Sequence, residues 1–376
     1  MNVAALATFS VVSGGAFAQS SINLSGRIDL GHSSVKTTPF EDSSTKVTSF
    51  AGEQHGRTTS RLTFSGVEDL GGGLRAAFNY ETRLNPDNVA AAGMDRTRNM
   101  FLNLSGGFGA VTIGTYLNPF DTVRGFSAAT YSAPGGDFLA NHIDMTSQLV
   151  TKAQAVTAFG SEDIAVMYLA LKANGLSARS TNSIGYTSPS FGGFTASLGV
   201  SQEKTSKADT ALNKVEGVIG SLAYASGPLN ARLALGEGKA SVKTTASNLS
   251  ASKTTDIAFA ASYDFGMAVP YFQYEQTKNT LSSFGGATLT AAQGNVVKTN
   301  AAELGAKFPM GALTPYVTVS TGEVTLGGTD YDTSAFQIGT TYDLSKRTSL
   351  YAGAGQTKFD GFKKSNGYKI GLIHNF

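Results

Sequence analysis

The chain has no cysteine and no tryptophan, only 9 prolines in 376 residues, and 15% charged side chains. Without cysteine, neither a disulfide nor a thiolate metal site can form. The charged fraction lies below the roughly 25% of soluble domains, and a net charge of +2 provides no field to hold nucleic acid. Histidine is sparse: His32, His55, His142 and His374 are scattered, none at the spacing of a metal site or a nucleophilic triad. That argues against an enzyme. No apolar run approaches the ~20 residues a transmembrane helix requires. Strands remain open as membrane-crossing elements, because they hide their hydrophobicity in alternation.

What is present is glycine, 44 residues of it, and period-two alternation. The clearest stretch is Arg57–Arg83, RTTSRLTFSGVEDLGGGLRAAFNYETR. Leu62 and Phe64 fall on one face, and Arg57, Arg61, Thr63 and Ser65 on the other. After the turn Glu68–Gly73, Leu74, Ala76, Phe78 and Tyr80 oppose Arg75, Asn79, Glu81 and Arg83. Alternation on both sides of a glycine turn predicts a β-hairpin. Gly71-Gly72-Gly73 lacks the lysine and following helix of a phosphate loop, so turn geometry accounts for it.

Residues 1–18, MNVAALATFSVVSGGAFA, are apolar and end in Ala16-Phe17-Ala18, the pattern of a signal-peptide cleavage site. They are expected to be an export signal, with one barrel domain over 19–376. Alternating segments recur from residue 21 to the end, giving about sixteen strands with short glycine or proline turns at one set of joints and long Ser/Thr/Asn-rich loops at the other. The first loop is expected at about 34–56. Segregated loop lengths are the organisation of an outer-membrane barrel, with lipid outside and water inside, and about sixteen strands predict an aqueous channel. Outward stripes such as Leu229-Ala231-Leu233-Leu235, and aromatics near strand ends (Tyr186, Tyr224, Tyr263, Phe265, Tyr342), suit lipid and its interfaces.

One connection stands apart: 117–178, about sixty residues long, carrying Asp121, Asp137, Asp144, Glu162 and Asp163, with a short helix expected near 163–172. Connections of that length are usually functional. On the wall, parity turns Arg27, Arg57, Arg61, Arg75, Arg83, Arg179, Arg232 and Lys307 inward, against the fewer inward acids Asp29, Glu81, Asp256, Glu303 and Asp343. Arg57 and Arg83 read as rim charges, whereas Arg61 reads as mid-strand. An unpaired arginine against lipid at the midplane would cost roughly 2–4 kcal/mol, which argues that Arg61 and Arg75 face water. Arg98 is divided: regular alternation with Met100, Leu102 and Leu104 puts it outside, while a bulge between Arg96 and Met100 would turn it inward.

Several segments resemble the general diffusion porins of Gram-negative outer membranes, particularly the trimeric β-proteobacterial type. They are SRLTFSGVEDLGGGLRAAFNYE (60–81), LSGGFGAVTIG (104–114), YTSPSFGGFTASLGV (186–200), DLSKRTSLY (343–351) and GLIHNF (371–376). The resemblance implies an all-β fold, a sixteen-stranded antiparallel transmembrane β-barrel with a long third loop folded into the lumen, at the position of 117–178. It also implies a homotrimer in outer-membrane lipid and lipopolysaccharide, with Phe376 as the terminal aromatic read by the barrel-assembly machinery. By motif position Arg61 matches a basic wall residue facing that loop, Arg179 a second, and Arg98 lies near a third.

The expected function is passive diffusion of small ions and hydrophilic solutes through a weakly anion-preferring pore, with no cofactor. Arg61, Arg75, Arg98 and Arg179 are the basic candidates, and Asp121 and Asp137 the acids facing them. A substrate-selective porin of the same fold is the alternative; it calls for an inward aromatic row, for which Tyr116, Tyr351 and Phe101 are the candidates.

Overall fold

The computed structural model describes residues 21–40, 43–50, 59–85, 94–128, 179–207, 211–244, 247–284, 287–288, 296–326, 329–360 and 364–376. The expected signal, 1–18, lies outside them. The first strands are β1 (Ser21–Phe40), β2 (Ser43–Phe50), β3 (Arg61–Gly71), β4 (Leu74–Leu84), β5 (Met94–Gly106) and β6 (Gly109–Leu117). A short helix, α1 (Pro119–Arg124), follows. Then come β7 (Arg179–Thr187), β8 (Phe194–Lys207), β9 (Ala211–Ser226), β10 (Leu229–Thr244), β11 (Ser247–Tyr263) and β12 (Val269–Phe284). The last are β13 (Ala287–Thr288), β14 (Val296–Lys307), β15 (Leu313–Leu326), β16 (Thr329–Asp343), β17 (Thr348–Phe359) and β18 (Ser365–Asn375).

All pairs are antiparallel, and β1 pairs with β18 from Arg27↔Asn375 to Lys36↔Asn366, which closes the sheet. The eighteen segments fill sixteen places in the wall, because β2 and β3 follow one another along β1, and β13 and β14 along β12. The stretch expected as a loop at 34–56 begins instead as wall: β1 runs on to Phe40 and returns as β2 through pairs such as Val35↔Val47. An antiparallel pair can keep extending as long as each chain satisfies the other's backbone groups. The short turns lie where glycine allows a left-handed backbone, as at Gly72 (φ 61°) and Gly73 (φ 81°) between β3 and β4.

The faces are inverted relative to a water-soluble fold. Ile22 is 71% exposed and Leu102 67%, while Gln273, Glu303 and Gln337 are fully buried. Continuous exposed apolar surface over a polar interior is stable where the outside is hydrocarbon. Near the short turns the apolar band ends in aromatics. Phe194 stacks with Tyr224 and Tyr263 with Phe265, each pair at 4.5 Å, and the Tyr186 hydroxyl donates to the Phe108 carbonyl at 2.6 Å. Rings with an apolar body and a polar tip suit that interface.

On the inner face Tyr271, Tyr316 and Tyr351 sit directly opposite Gly305, Gly339 and Gly371, and each ring lies across its glycine. A Cβ on Gly339 would collide with the Tyr316 hydroxyl and come within 2.6 Å of the Ala352 carbonyl oxygen. Gly339→Val is therefore expected to lose most of the folded, heat-modifiable band on a gel. Gly220→Val, whose Cβ would meet nothing closer than 3.8 Å, should keep it.

Candidate pore constriction

The inner wall is basic at one level. The pairs Arg27↔Arg61 and Arg61↔Arg83 place three arginines of β1, β3 and β4 in a single lateral row. Like charges directly across a strand pair repel, so the row needs compensation. Glu81 supplies it: a carboxylate oxygen lies 3.7 Å from Arg61 Nε and the other accepts from Arg98 Nε at 2.7 Å. Asn99 Nδ2 approaches Glu81 at 3.5 Å, and Arg179 Nε donates to Asn99 Oδ1 at 3.3 Å. Arg61, Arg98 and Arg179 thus belong to one network around a buried carboxylate.

Arg98 reaches this network through a β-bulge. Glu81 pairs with Asn99 and Thr82 with Thr97, so Arg98 is an extra residue in β5. The bulge breaks its parity with the lipid-facing Met100, Leu102 and Leu104 and turns its side chain to Glu81. A second irregularity lies between β6 and β7, where the register shifts between Gly114 and Tyr116 and Asn182 takes a positive φ of 47°. Both interruptions flank the arginines.

The opposite side of this level comes from α1. Asn118 caps it, accepting from the Phe120 and Asp121 amides at 3.0 and 3.3 Å, with proline at the first helical position. Phe120, Val123 and Ala128 are buried against the inward alanines Ala234, Ala258 and Ala260 of β10 and β11. Small wall residues leave the socket that the larger helix side chains fill. Arg124 makes a two-point ion pair with Glu275 of β12, with Nε to Oε2 at 2.8 Å and Nη2 on Oε1. The Tyr271 hydroxyl accepts from the Ala128 amide at 3.0 Å and donates to Glu303 at 2.8 Å. The chain therefore leaves β6, enters the barrel and docks on the wall of β10–β12.

Asp121, in the first turn of α1, lies within the field of the basic network. Burial raises its carboxyl above the usual range, while Arg124, Arg179 and Arg98, in that order, pull it down. Raised means that it takes up its proton at a higher pH than a free aspartate. Mild acid should then remove its negative charge and strengthen anion preference. Asp121→Asn should show that preference already at neutral pH, read as the reversal potential across a salt gradient.

Other candidates are placed elsewhere. Arg75 pairs with Asp69 beside the Gly72-Gly73 turn, roughly 20 Å along the strand from Glu81, and does not join the network. Arg83, which reads as a rim charge in the sequence, lies in the row of Arg61, because β1 carries the wall well beyond that level. Arg61 itself is the first residue of β3 rather than mid-strand. Asp137 and the helix expected at 163–172 lie outside the described residues. Phe376 follows β18, and its amide and carbonyl pair with Gly26 at 3.1 and 3.0 Å, with its ring over that glycine. Sequence reasoning missed Arg124 and Glu275.

A closed barrel with an apolar outer band, a charged lumen and a helix docked inside that lumen defines a transmembrane channel. The family model described as Gram-negative porin matches residues 3–361. The chain is 32% identical over 347 residues to outer membrane porin protein 32 of Delftia acidovorans, covering 90% of this chain and 84% of that one. It is 28% identical over 405 aligned positions to an outer membrane porin protein of Bordetella pertussis, covering 96% of each. The anion-selective porin from Comamonas acidovorans superposes with a TM-score of 0.67 at 26% identity, covering 95% of this chain and all of that one. The chain belongs to the Gram-negative porin family. It is an outer-membrane channel and not an enzyme, and it passes small hydrophilic solutes by diffusion through a water-filled lumen.

Proposed function

We propose that the narrowest level of this porin lies between the Arg61–Glu81–Arg98–Arg179 network and α1, and that it passes anions in weak preference to cations. The gathering of three arginines around one glutamate carries this reading. Arg83 adds to the row, whereas Arg124 is offset by Glu275. Guanidinium groups keep their charge at any physiological pH, so the surplus is permanent. The Comamonas relative, described as anion-selective, supports the same sign. The rest of 117–178, with Asp137, completes the constriction in this reading. The chain works as a homotrimer assembled through recognition of Phe376, after removal of residues 1–18.

Tyr351 and Tyr116, two candidates for an aromatic row, lie across glycines, and the Tyr351 hydroxyl donates to Asp29 at 2.9 Å. Rings held in this way favour general diffusion over a sugar-selective track. Reversal potential in a potassium chloride gradient tests the proposal. A potential of anion-selective sign is expected, and a clear cation preference would overturn it.

A further inference from the structure

The wall that receives α1 carries an arginine that stands apart from the constriction network. Arg232 lies on β10, two residues from Ala234, on which α1 packs, so it faces the lumen. It is three residues from Leu229, where β10 leaves its short turn through Leu229↔Ser226, and therefore lies on the short-turn side of the helix socket. Other inward arginines are engaged: Arg27 donates to Asn375 at 2.8 Å, Arg98 to Glu81 at 2.7 Å and Arg124 to Glu275 at 2.8 Å. Arg232 makes no hydrogen bond or ion pair among the described residues, although its Nε is withdrawn from solvent. Its guanidinium lies over the ring of Phe126, just beyond α1, with Cζ 5.9 Å from the centroid. A charged donor buried without an acceptor is costly, so Nε calls for a partner that the surrounding side chains do not supply.

The neighbouring inward positions are polar and also unused. Asn230 is the next one toward the short turn, directly opposite Ser262 of β11. Both side chains are half-buried, and neither makes a hydrogen bond among the described residues. The positions directly opposite Arg232 are Ala223 and Ala260, and Ala225 faces Asn230. No carboxylate is opposed to the guanidinium, and the small methyl groups leave its edge open. Inward positions lie roughly 7 Å apart along a strand and about 5 Å apart across a pair, so the guanidinium, the amide and the hydroxyl can converge on one small ligand. Phe126 covers one face of the guanidinium and fixes its plane. The free edge, Nε with one Nη, matches two oxygens held side by side, the geometry of a carboxylate or a phosphate and not of a halide.

We propose that Arg232, Asn230 and Ser262 form an oxoanion site on the short-turn side of α1, which holds the carboxylate or phosphate group of a passing solute at the edge of the Arg232 guanidinium. The site lies across the lumen from the Arg61–Glu81–Arg98–Arg179 network and adds to its sign preference a discrimination between oxoanions and halides. The test is the current of the full chain in planar bilayers at low potassium chloride, titrated with acetate, with inorganic phosphate and with bromide. Acetate or phosphate is expected to reduce the current in the millimolar range, bromide to leave it unchanged, and whichever of the first two acts names the oxoanion the site takes. Arg232→Gln should raise the half-blocking concentration roughly ten-fold, and Asn230→Ala, which leaves the Phe126 contact in place, about three-fold. Arg232→Lys keeps the charge but not the fork, and should lose the oxoanion block as well. Equal effects of acetate, phosphate and bromide on the unaltered channel would overturn the site, as would an unchanged block in folded Arg232→Gln. A block that is lost in Arg61→Gln and kept in Arg232→Gln would move oxoanion binding to the constriction and overturn this site. Reversal potential in a salt gradient reads the preference of the constriction separately, so failure of one assignment does not imply failure of the other.

Discussion

Replacing Glu275 by glutamine is expected to release α1 from the wall while leaving the barrel folded. The Arg124–Glu275 pair is almost fully withdrawn from solvent, with side chains 9% and 1% exposed. Removing one partner of such a pair typically costs about 3–5 kcal/mol, because the other charge is left buried and uncompensated. The wall does not share that loss, since its strands are held by their own ladders, which include neither side chain. The helix has two other anchors, the packing of Phe120 and Val123 and the bond from the Ala128 amide to Tyr271. Against several kcal/mol these hold it only part of the time. Arg124 then reaches lumen water and adds a cationic group there. In planar bilayers Glu275→Gln should show noisy, multi-level current and stronger anion preference, with heat-modifiable migration unchanged. The double variant Arg124→Gln/Glu275→Gln leaves no buried charge and should restore a quiet channel. A quiet Glu275→Gln channel with the original reversal potential would show that the ion pair does not position the helix.

Much of the barrel was legible because its wall obeys one rule. In Arg57–Arg83 each residue's face follows from parity, and the same alternation runs through β9 to β18 with few breaks. Parity gives a face but no height. Arg61 and Arg75 share an inward character, yet one lies in the arginine row and the other beside a short turn, since height depends on register with neighbouring strands. The same blindness sent Arg83 to the rim. Arg98 could not be assigned by alternation because the bulge that turns it inward is a break in alternation, visible only in its pairing with β4. Helix α1 left a local trace, Asn118-Pro119 at its start, Asp121 in the first turn and Gly125 just beyond, but six residues are too few for a periodic signal. Its partner was beyond sequence reasoning: Arg124 and Glu275 stand 151 positions apart and meet only because the barrel closes around the helix.

The second large effect is a reversal of ion preference when Arg61, Arg98 and Arg179 are all replaced by glutamate. A single replacement should only shift the reversal potential, because the two remaining arginines of the network, with Arg27 and Arg83, still outnumber Glu81, Asp121 and the new glutamate at that level. Each arginine-to-glutamate change moves the local charge by two units, so three together turn a basic ring into a strongly acidic one. The effect should depend on salt. At 0.1 M the screening length is about 10 Å, comparable with the reach of a wall charge into the lumen, whereas at 1 M it is about 3 Å. Cation preference is therefore expected to be pronounced in dilute salt and to fade in concentrated salt. It should also weaken in acid, because crowded carboxylates hold protons to higher pH than isolated ones. The arginine side chains they replace cannot titrate, so in the unaltered channel the protonation of Asp121, whose carboxyl burial raises, runs the other way, toward stronger anion preference. A triple variant that keeps anion preference in dilute salt would place the selective level elsewhere along the lumen, and Lys307 would become the next inward cation to test.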